Sequence, residues 1–478
     1  MEILAVLGFP LLGGALLAIW GERRWAPEFN SATSLCTFLA ASLLAFRILV
    51  SGPLIVLNEQ FFVDSFNVFL VVLTAFVSFT TTLFSRPYMR NEQILSSLSS
   101  QQLRLYHSMY QIFCFTMLLA LLTNNLGILW VAMEGATLAT VLLVSLYRSR
   151  ESLEAAWKYF ILCGVGIAQA LFGTILIYFA AEKVLGAGGT ALLWTHLDAA
   201  KGSLEPTVLS IAFVFLLVGY GTKVGLVPLH SWLPDAHAEG PTPVSAVLSG
   251  LLLNVALYAV VRCKILVGGA LQNRFADDLM IGFGLLSVLT AAFLLWKQKD
   301  IKRLFGYSSI EHMGLMTFAF GIGANFAGLL HMTVHSLTKS AIFFAVGHAV
   351  QHSGTKSIDA IRGLIQSPAV GWGLMLGGLA ILGMPPFGVF TSEFLILTHA
   401  MQSHPWATPV LLVALGVAFA SIFGKVQAMV WGEMEGKTLP HAPAFLPILL
   451  HLGIVLILGL YIPPHLARWY HEAARLIG

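Results

Sequence analysis

The chain has 478 residues, 57% of them hydrophobic and only 10% charged. Soluble domains carry about 25% charged residues, so the composition excludes a soluble protein and indicates an integral membrane one. The formal net charge of +3 is too small to point to a nucleic-acid partner.

A spanning helix needs about 20 mostly apolar residues. The apolar runs predict about fourteen such helices, too long and continuous for a barrel. They centre near Leu12, Ala41, Val72, Leu118, Thr137, Ala168 and Phe215, then near Leu253, Val288, Met313, Ser340, Gly378, Val413 and Val455. The first run, Leu4 to Trp20, has no basic n-region and no small-residue cleavage site, so it reads as a spanning helix and not a signal peptide. The longest connections, 86–107 and 181–206, are too short to fold alone. One polytopic membrane domain over 1–478 is expected, with helices one to three in 1–108 and a C-terminal helix fourteen in 443–478.

Arg23, Arg24, Arg86, Arg90, Arg104, Arg148 and Arg150 follow helices one, three and five. Lys297, Lys299, Lys302, Arg303, Lys356 and Arg362 follow helices nine and eleven. The opposite loops hold fewer basic residues, so these face the cytoplasm and both termini face outward. The four cysteines fall singly in separate apolar runs. They form no iron–sulfur or zinc spacing, and no dinucleotide-binding glycine motif is present. The chain is expected to carry no cofactor, no metal and no catalytic residue; any electrons move elsewhere.

Several polar groups interrupt the apolar runs. Glu134 lies in WVAMEGATLATVLLV. Lys158 opens helix six, either as an interfacial anchor or as an accessory site. The stretch GYGTKVGLVPLHSWLPDAHAEGPTPVSAVLS sets Lys223 between Gly221 and Gly225, with Pro228 beyond. A lysine at membrane depth is costly without a partner or a wet cavity, and a broken helix with a charge at the break is a recurring ion-site design. His230, Asp235, His237 and Glu239 follow in a polar turn. Arg262 and Lys264, at the end of helix eight, read as interfacial anchors.

Helix ten carries Glu311 and His312. On helix eleven His331, His335 and Lys339 succeed one another at four-residue steps and share a face. His348, thirteen residues beyond His335, is expected near the same side. Histidine titrates near neutrality and suits proton relay. Zinc at His331 and His335 would need a third ligand, and a purely structural network is the blander alternative. ILGMPPFGVFTSEFLIL breaks a second span at Gly383, Pro385 and Pro386, with Glu393 two turns on. The paired breaks point to an inverted repeat and a transport path. Lys425, near a helix end, either snorkels or serves as an accessory site.

GTKVGLVPLHSWLPDAHAEGPTPVSAVLSG resembles the signature of the antiporter-like, proton-pumping membrane subunits of respiratory complex I, Mrp-type sodium/proton antiporters and membrane-bound nickel–iron hydrogenases. DIKRLFGYSSIEHMGLM, HSLTKSAIFFAVGH and GMPPFGVFTSEFLIL match further blocks of that family, and the likeness covers nearly the whole chain. ESLEAAWKYFILCGVGIAQALFGT and SSIEHMG look most like the hydrogenase 4 branch, of the formate hydrogenlyase type. The resemblance implies fourteen core helices, with inverted repeats of helices four to eight (109–265) and nine to thirteen (277–432). It also implies broken helices seven and twelve and a polar axis in the membrane plane. Its functional positions fall on Glu134, Lys223 and Glu393, with His331, His335 and Lys339 at polar positions of helix eleven. The helix-eight lysine of one branch aligns with Asn254, and the histidine of another with Ser249. Neither takes up a proton at pH 7, so the link between half-channels is expected to use water with His312 or the helix-eleven row.

The resemblance further implies partners: other membrane subunits and a peripheral iron–sulfur redox arm of nickel–iron type, in a prokaryotic cytoplasmic membrane. The expected mechanism is electrostatic: Glu134 tunes Lys223, and the proton passes along the histidine/lysine row to Glu393. The alternatives are a sodium/proton antiporter subunit, a lipid-linked transferase using the His230–Glu239 turn, and a structural anchor with a dead channel.

Overall fold

The computed structural model describes residues 1–433 and 439–478. The chain forms, in order, α1 (Glu2–Trp20), α2 (Ala26–Ser51), the short strands β1 (Leu54–Val56) and β2 (Phe61–Val63), α3 (Ser65–Leu95), α4 (Ser100–Leu122), α5 (Leu126–Val144) and α6 (Arg150–Leu185). Next come α7 (Trp194–Ala200), α8 (Pro206–Val224), α9 (Trp232–Glu239), α10 (Thr242–Val247), α11 (Leu253–Leu271), α12 (Phe275–Trp296) and α13 (Ile301–Gly321). The last helices are α14 (Asn325–Ser353), α15 (Pro368–Ile381), α16 (Gly388–Ser403), α17 (Ala407–Val430), α18 (Leu446–Leu460) and α19 (Pro464–Ile477). β1 and β2 pair antiparallel.

Polar caps set several helix starts. Asp64 accepts from the amides of Phe66 and Asn67 while the Asn67 side chain bonds back to Asp64, a capping box on α3. Ser99, Asn125, Ser149 and Asp300 cap α4, α5, α6 and α13 through their side-chain oxygens.

Among the described residues eleven helices are long and apolar enough to cross a membrane, and the α18–α19 pair, bent by 82°, makes twelve if counted as one span. α10, a π turn over Leu248–Leu252 and α11 form one of these spans. Two of the fourteen expected spans miss that test. α13 carries Lys302, Arg303, Glu311 and His312, and α15 and α16 are only 14 and 16 residues long. The side chains and the break that mark these segments for function also lower their apolar signal. The C-terminal segment, expected as one helix, is bent. Pro463 and Pro464 lack amide donors, and α19 turns to bury Tyr470, Ala473 and Ile477.

α14 and the α10–α11 span are buried along their whole apolar windows, whereas α1, α6 and α17 present most of theirs outward. Phe172 and Phe179 on α6 and Leu412 on α17 are among the large apolar side chains left exposed on this outer ring. Unlike in a soluble protein, the inner helices carry the ionisable groups, which is how costly charges are housed at membrane depth.

Candidate functional site

Lys223 lies in the last turn of α8, and the break follows at once. Gly225 takes the left-handed conformation, φ +86°, and the Leu226 amide donates to the Gly221 carbonyl at 2.9 Å. A side chain at Gly225 would also meet Leu233, its Cβ 2.7 Å away. Trp232 Nε1 donates to the Thr222 carbonyl at 2.8 Å, and its ring stacks on Tyr159. The segment after the break thus satisfies backbone that the break released.

The Lys223 ammonium is fully buried, hydrogen-bonds the Thr137 hydroxyl and stands 5.3 Å from the Tyr159 ring centre. Thr137 Oγ1 in turn donates to Glu134 Oε2 at 3.2 Å. Glu134 and Lys223 therefore meet through Thr137. In the sequence the only signal of that hydroxyl is that Thr137 follows Glu134 by three residues on α5.

A second cluster joins α13, α14 and α16. His312 Nδ1 and His331 Nε2 are 3.0 Å apart, and His331 Nδ1 lies 2.8 Å from the Ser392 hydroxyl. Glu393 Oε1 is 3.8 Å from His312 Nδ1. The His335 ring lies 5.5 Å from that of His312, with both nitrogens buried and without a partner. Ser392 is a further residue missed from the sequence. The second break shapes this cluster: Gly383 has φ +64°, and a Cβ there would stand 2.0 Å from Glu393 Oε2. Gly383→Ala is expected to displace the carboxylate and to destabilise the chain by about 1–3 kcal/mol through backbone strain alone. Gly378→Ala, whose Cβ would meet only ordinary contacts at 3.4 Å and beyond, should be tolerated. Thermal unfolding in detergent, compared between the two variants, checks this.

Lys339, fully buried, donates to the Phe305 carbonyl at 3.1 Å. The same carbonyl accepts from Ser309 at 2.9 Å, and Ser309 bonds Ser249 at 2.7 Å. Glu311 is buried on α13, the helix that also carries Phe305 and Ser309. Asn254 donates to Ser336 Oγ at 2.7 Å and to the Met332 carbonyl at 3.2 Å, tying α11 to α14.

The remaining expected residues are more dispersed. Asp235 accepts from Lys158 at 2.6 Å and from Arg303, cross-linking α6, α9 and α13. His230, in the loop after α8, has its imidazole held below the ordinary value by burial; the Lys158 charge adds to this and a Pro228 backbone contact opposes it. Lys425 donates to the Leu295 and Trp296 carbonyls at the end of α12, where a cation suits the helix dipole. His348 does not join the row. Thirteen steps at 3.6 residues per turn come to about 220°, and its ring packs on Phe84 and Phe445 instead.

Arg262 and Lys264 are not interfacial anchors. Arg262 is 3% exposed and bonds both Asp64 oxygens at 2.7 Å, its guanidinium 4.4 Å from the Trp194 ring centre. Lys264 donates to the Phe320 carbonyl at 2.8 Å and pairs with Asp277 at 3.1 Å. A lone acid before one apolar run and a lone arginine late in another gave no sign of pairing across 198 residues.

A polar cavity of about 360 Å³ opens beside the start of α13, lined by Tyr88, Glu92, Tyr147, Glu239, Lys302 and Lys356. Glu92 accepts from Tyr147 at 2.8 Å and Gln351 at 2.7 Å. His237, in the short α9, is buried against Phe343 with Nδ1 unpartnered. Burial, and then the charges of Lys302 and Lys339, hold its imidazole well below the ordinary range. It thus feels both a lysine of the cavity and a lysine of the row. Among the described residues no group of three or more His, Cys, Asp or Glu is placed to hold a metal ion.

The family model described as NADH:quinone oxidoreductase/Mrp antiporter, transmembrane, matches residues 123–420, which include both helix breaks and every expected pathway residue. The chain belongs to the NADH:quinone oxidoreductase/Mrp antiporter family. It is 49% identical over 481 residues to the hydrogenase-4 component F homolog of Methylacidiphilum infernorum, covering 100% of both chains. Two solved structures share the fold of this family member. A chain of the archaeal membrane-bound sulfane sulfur reductase superposes with TM-score 0.89 at 24% identity, over 100% of this chain and 98% of that one. A chain of the Mrp complex from a Dietzia species gives 0.85 at 19% identity, over 100% and 97%. The chain is thus a multi-pass, antiporter-like membrane subunit of the complex I-related kind.

Proposed function

We propose that this chain translocates protons as one membrane subunit of a redox complex of the nickel–iron hydrogenase or formate hydrogenlyase type. It carries no redox centre and works beside other membrane subunits and a peripheral iron–sulfur arm. The observation that supports this best is the chain of contacts Ser392–His331–His312–Glu393, buried where α13, α14 and α16 meet. On this reading helices four to eight and nine to thirteen form inverted repeats (109–265 and 277–432) within fourteen spans, and both termini face outward from a prokaryotic cytoplasmic membrane.

Each step uses groups with a stated role. Glu134, through Thr137, stabilises charge on Lys223. A change in a neighbouring subunit that draws Glu134 away lowers the proton affinity of Lys223, because a buried ammonium without compensation is unfavourable. The proton passes by hydroxyls and water toward Lys339 and the histidines, and Glu393 releases it. The cavity at Glu92 and Lys302, with His237 behind it, is the intake that reprotonates the row. Sodium sites want carboxylate and carbonyl oxygens, whereas this row is histidine and lysine. Inverted vesicles holding the assembled complex should therefore acidify when its electron donor is added, at a rate indifferent to sodium and collapsed by a protonophore. A rate that rises in proportion to sodium would assign the chain to sodium/proton exchange instead.

A further inference from the structure

The turn between α1 and α2 faces the adjoining ends of α3 and α4 across a cavity of about 510 Å³ that takes no part in the relay. Arg23, Arg24, Arg90, His107 and His441 line it, against one carboxylate, Glu22. Arg90 shares Glu28 with Arg86, at 2.5 and 3.2 Å. No ion pair among the described residues holds Arg23 or Arg24, and both are exposed. The cavity therefore carries an uncompensated positive charge.

The backbone that presents these arginines is fixed. The Gly21 amide donates to Leu17, the Arg23 amide to Trp20 and the Ala26 amide to Arg23, at 2.8, 3.0 and 3.0 Å. A Cβ at Gly21 would come within 3.1 Å of the Arg104 Cα, so the turn is pressed onto α4. Beside it the surface is apolar and aromatic: Ile19, Trp20 and Trp25 are 61%, 44% and 46% exposed. Tryptophans flanking a basic turn at the end of a spanning helix mark headgroup depth. Leu12 and Leu16 continue an exposed apolar strip down α1.

We propose that this cavity binds the phosphodiester headgroup of an anionic phospholipid. Arg23 and Arg24 take the phosphate oxygens, and the acyl chains lie along the outward strip of α1. Basic pockets between spanning helices recognise such headgroups through charge and fixed geometry. A free phosphate would leave the apolar rim and the two tryptophans uncovered.

The test uses the full chain in nanodiscs of mixed phosphatidylcholine and phosphatidylglycerol, with retained lipid read by native mass spectrometry. Phosphatidylglycerol should be retained selectively, and R23Q/R24Q should weaken that retention about 30-fold. R23K/R24K should keep most of it. Arg150→Gln, an exposed arginine outside the cavity, should keep all of it. Unchanged retention in R23Q/R24Q would overturn the site. So would displacement of the lipid by inorganic phosphate alone, which would place a free anion there. Loss of co-purifying membrane subunits with lipid retention intact would instead seat an acidic segment of a neighbour on the arginines.

Discussion

Replacing Lys223 by methionine should stop proton translocation through this chain while leaving the complex assembled. Methionine fills a similar volume and has no proton to give. Its thioether also removes the ammonium from the Thr137 hydroxyl, which Glu134 otherwise reaches through the same residue. A proton crossing that buried stretch without the lysine to carry it would meet a charge-burial penalty of several kcal/mol. At 1.4 kcal/mol per factor of ten, flux through the chain should fall at least about a hundredfold. Because the buried Lys223 ammonium touches the Thr137 hydroxyl and forms no direct ion pair among the described residues, the companion variant Thr137→Val separates contact from charge. It should slow translocation without abolishing it, since Glu134 and Lys223 keep their charges. The measurement is the ratio of protons moved to electrons transferred, in inverted vesicles with matched complex content. An unchanged ratio in K223M would remove Lys223 from the path.

The largest effect on stability is expected at Asp64, outside the relay. Asp64→Asn preserves the α3 cap, because asparagine caps about as well as aspartate. It removes the one carboxylate that bonds Arg262 on two atoms. Breaking a buried ion pair by removing one partner costs about 3–5 kcal/mol, since the other charge stays buried and uncompensated. The aromatic rings of Phe62, Phe66, Trp194 and Tyr258, with centres 4.4–5.6 Å from the guanidinium, soften that cost but cannot replace a counter-charge. The double variant Asp64→Asn with Arg262→Met should recover much of the loss. Denaturant unfolding in detergent micelles measures both. A single variant within about 1 kcal/mol of the parent, the size of an exposed pair, would show that the pair is not buried as described.

Much of the candidate site was legible before any fold was known. Ionisable residues in apolar runs are rare enough to be read one at a time, and Glu134, Lys223, His312, His331, His335, Lys339 and Glu393 announced themselves in this way. Glycine and proline marked both helix breaks, because their effect on the backbone is local. The bridging hydroxyls were not legible. Threonine and serine occur throughout spanning helices, and nothing local separates Thr137 or Ser392 from those that only bond their own helix, such as Thr174 and Thr338. Arg262 was misread for the same reason in reverse. Near a helix end an arginine looks like an anchor until its partner, far away in the chain, is in view.

Composition, periodicity and the placement of breakers by themselves determined that this is a helical membrane protein with charged residues set beside interrupted spans. These are properties of single residues in water or lipid, and they follow from transfer free energy and backbone geometry. Only the tertiary structure decided who touches whom: that Thr137 stands between Glu134 and Lys223, that His348 leaves the row, and that Asp64 holds Arg262. Contacts between distant segments depend on helix rotation and packing, which the pattern along one helix does not encode.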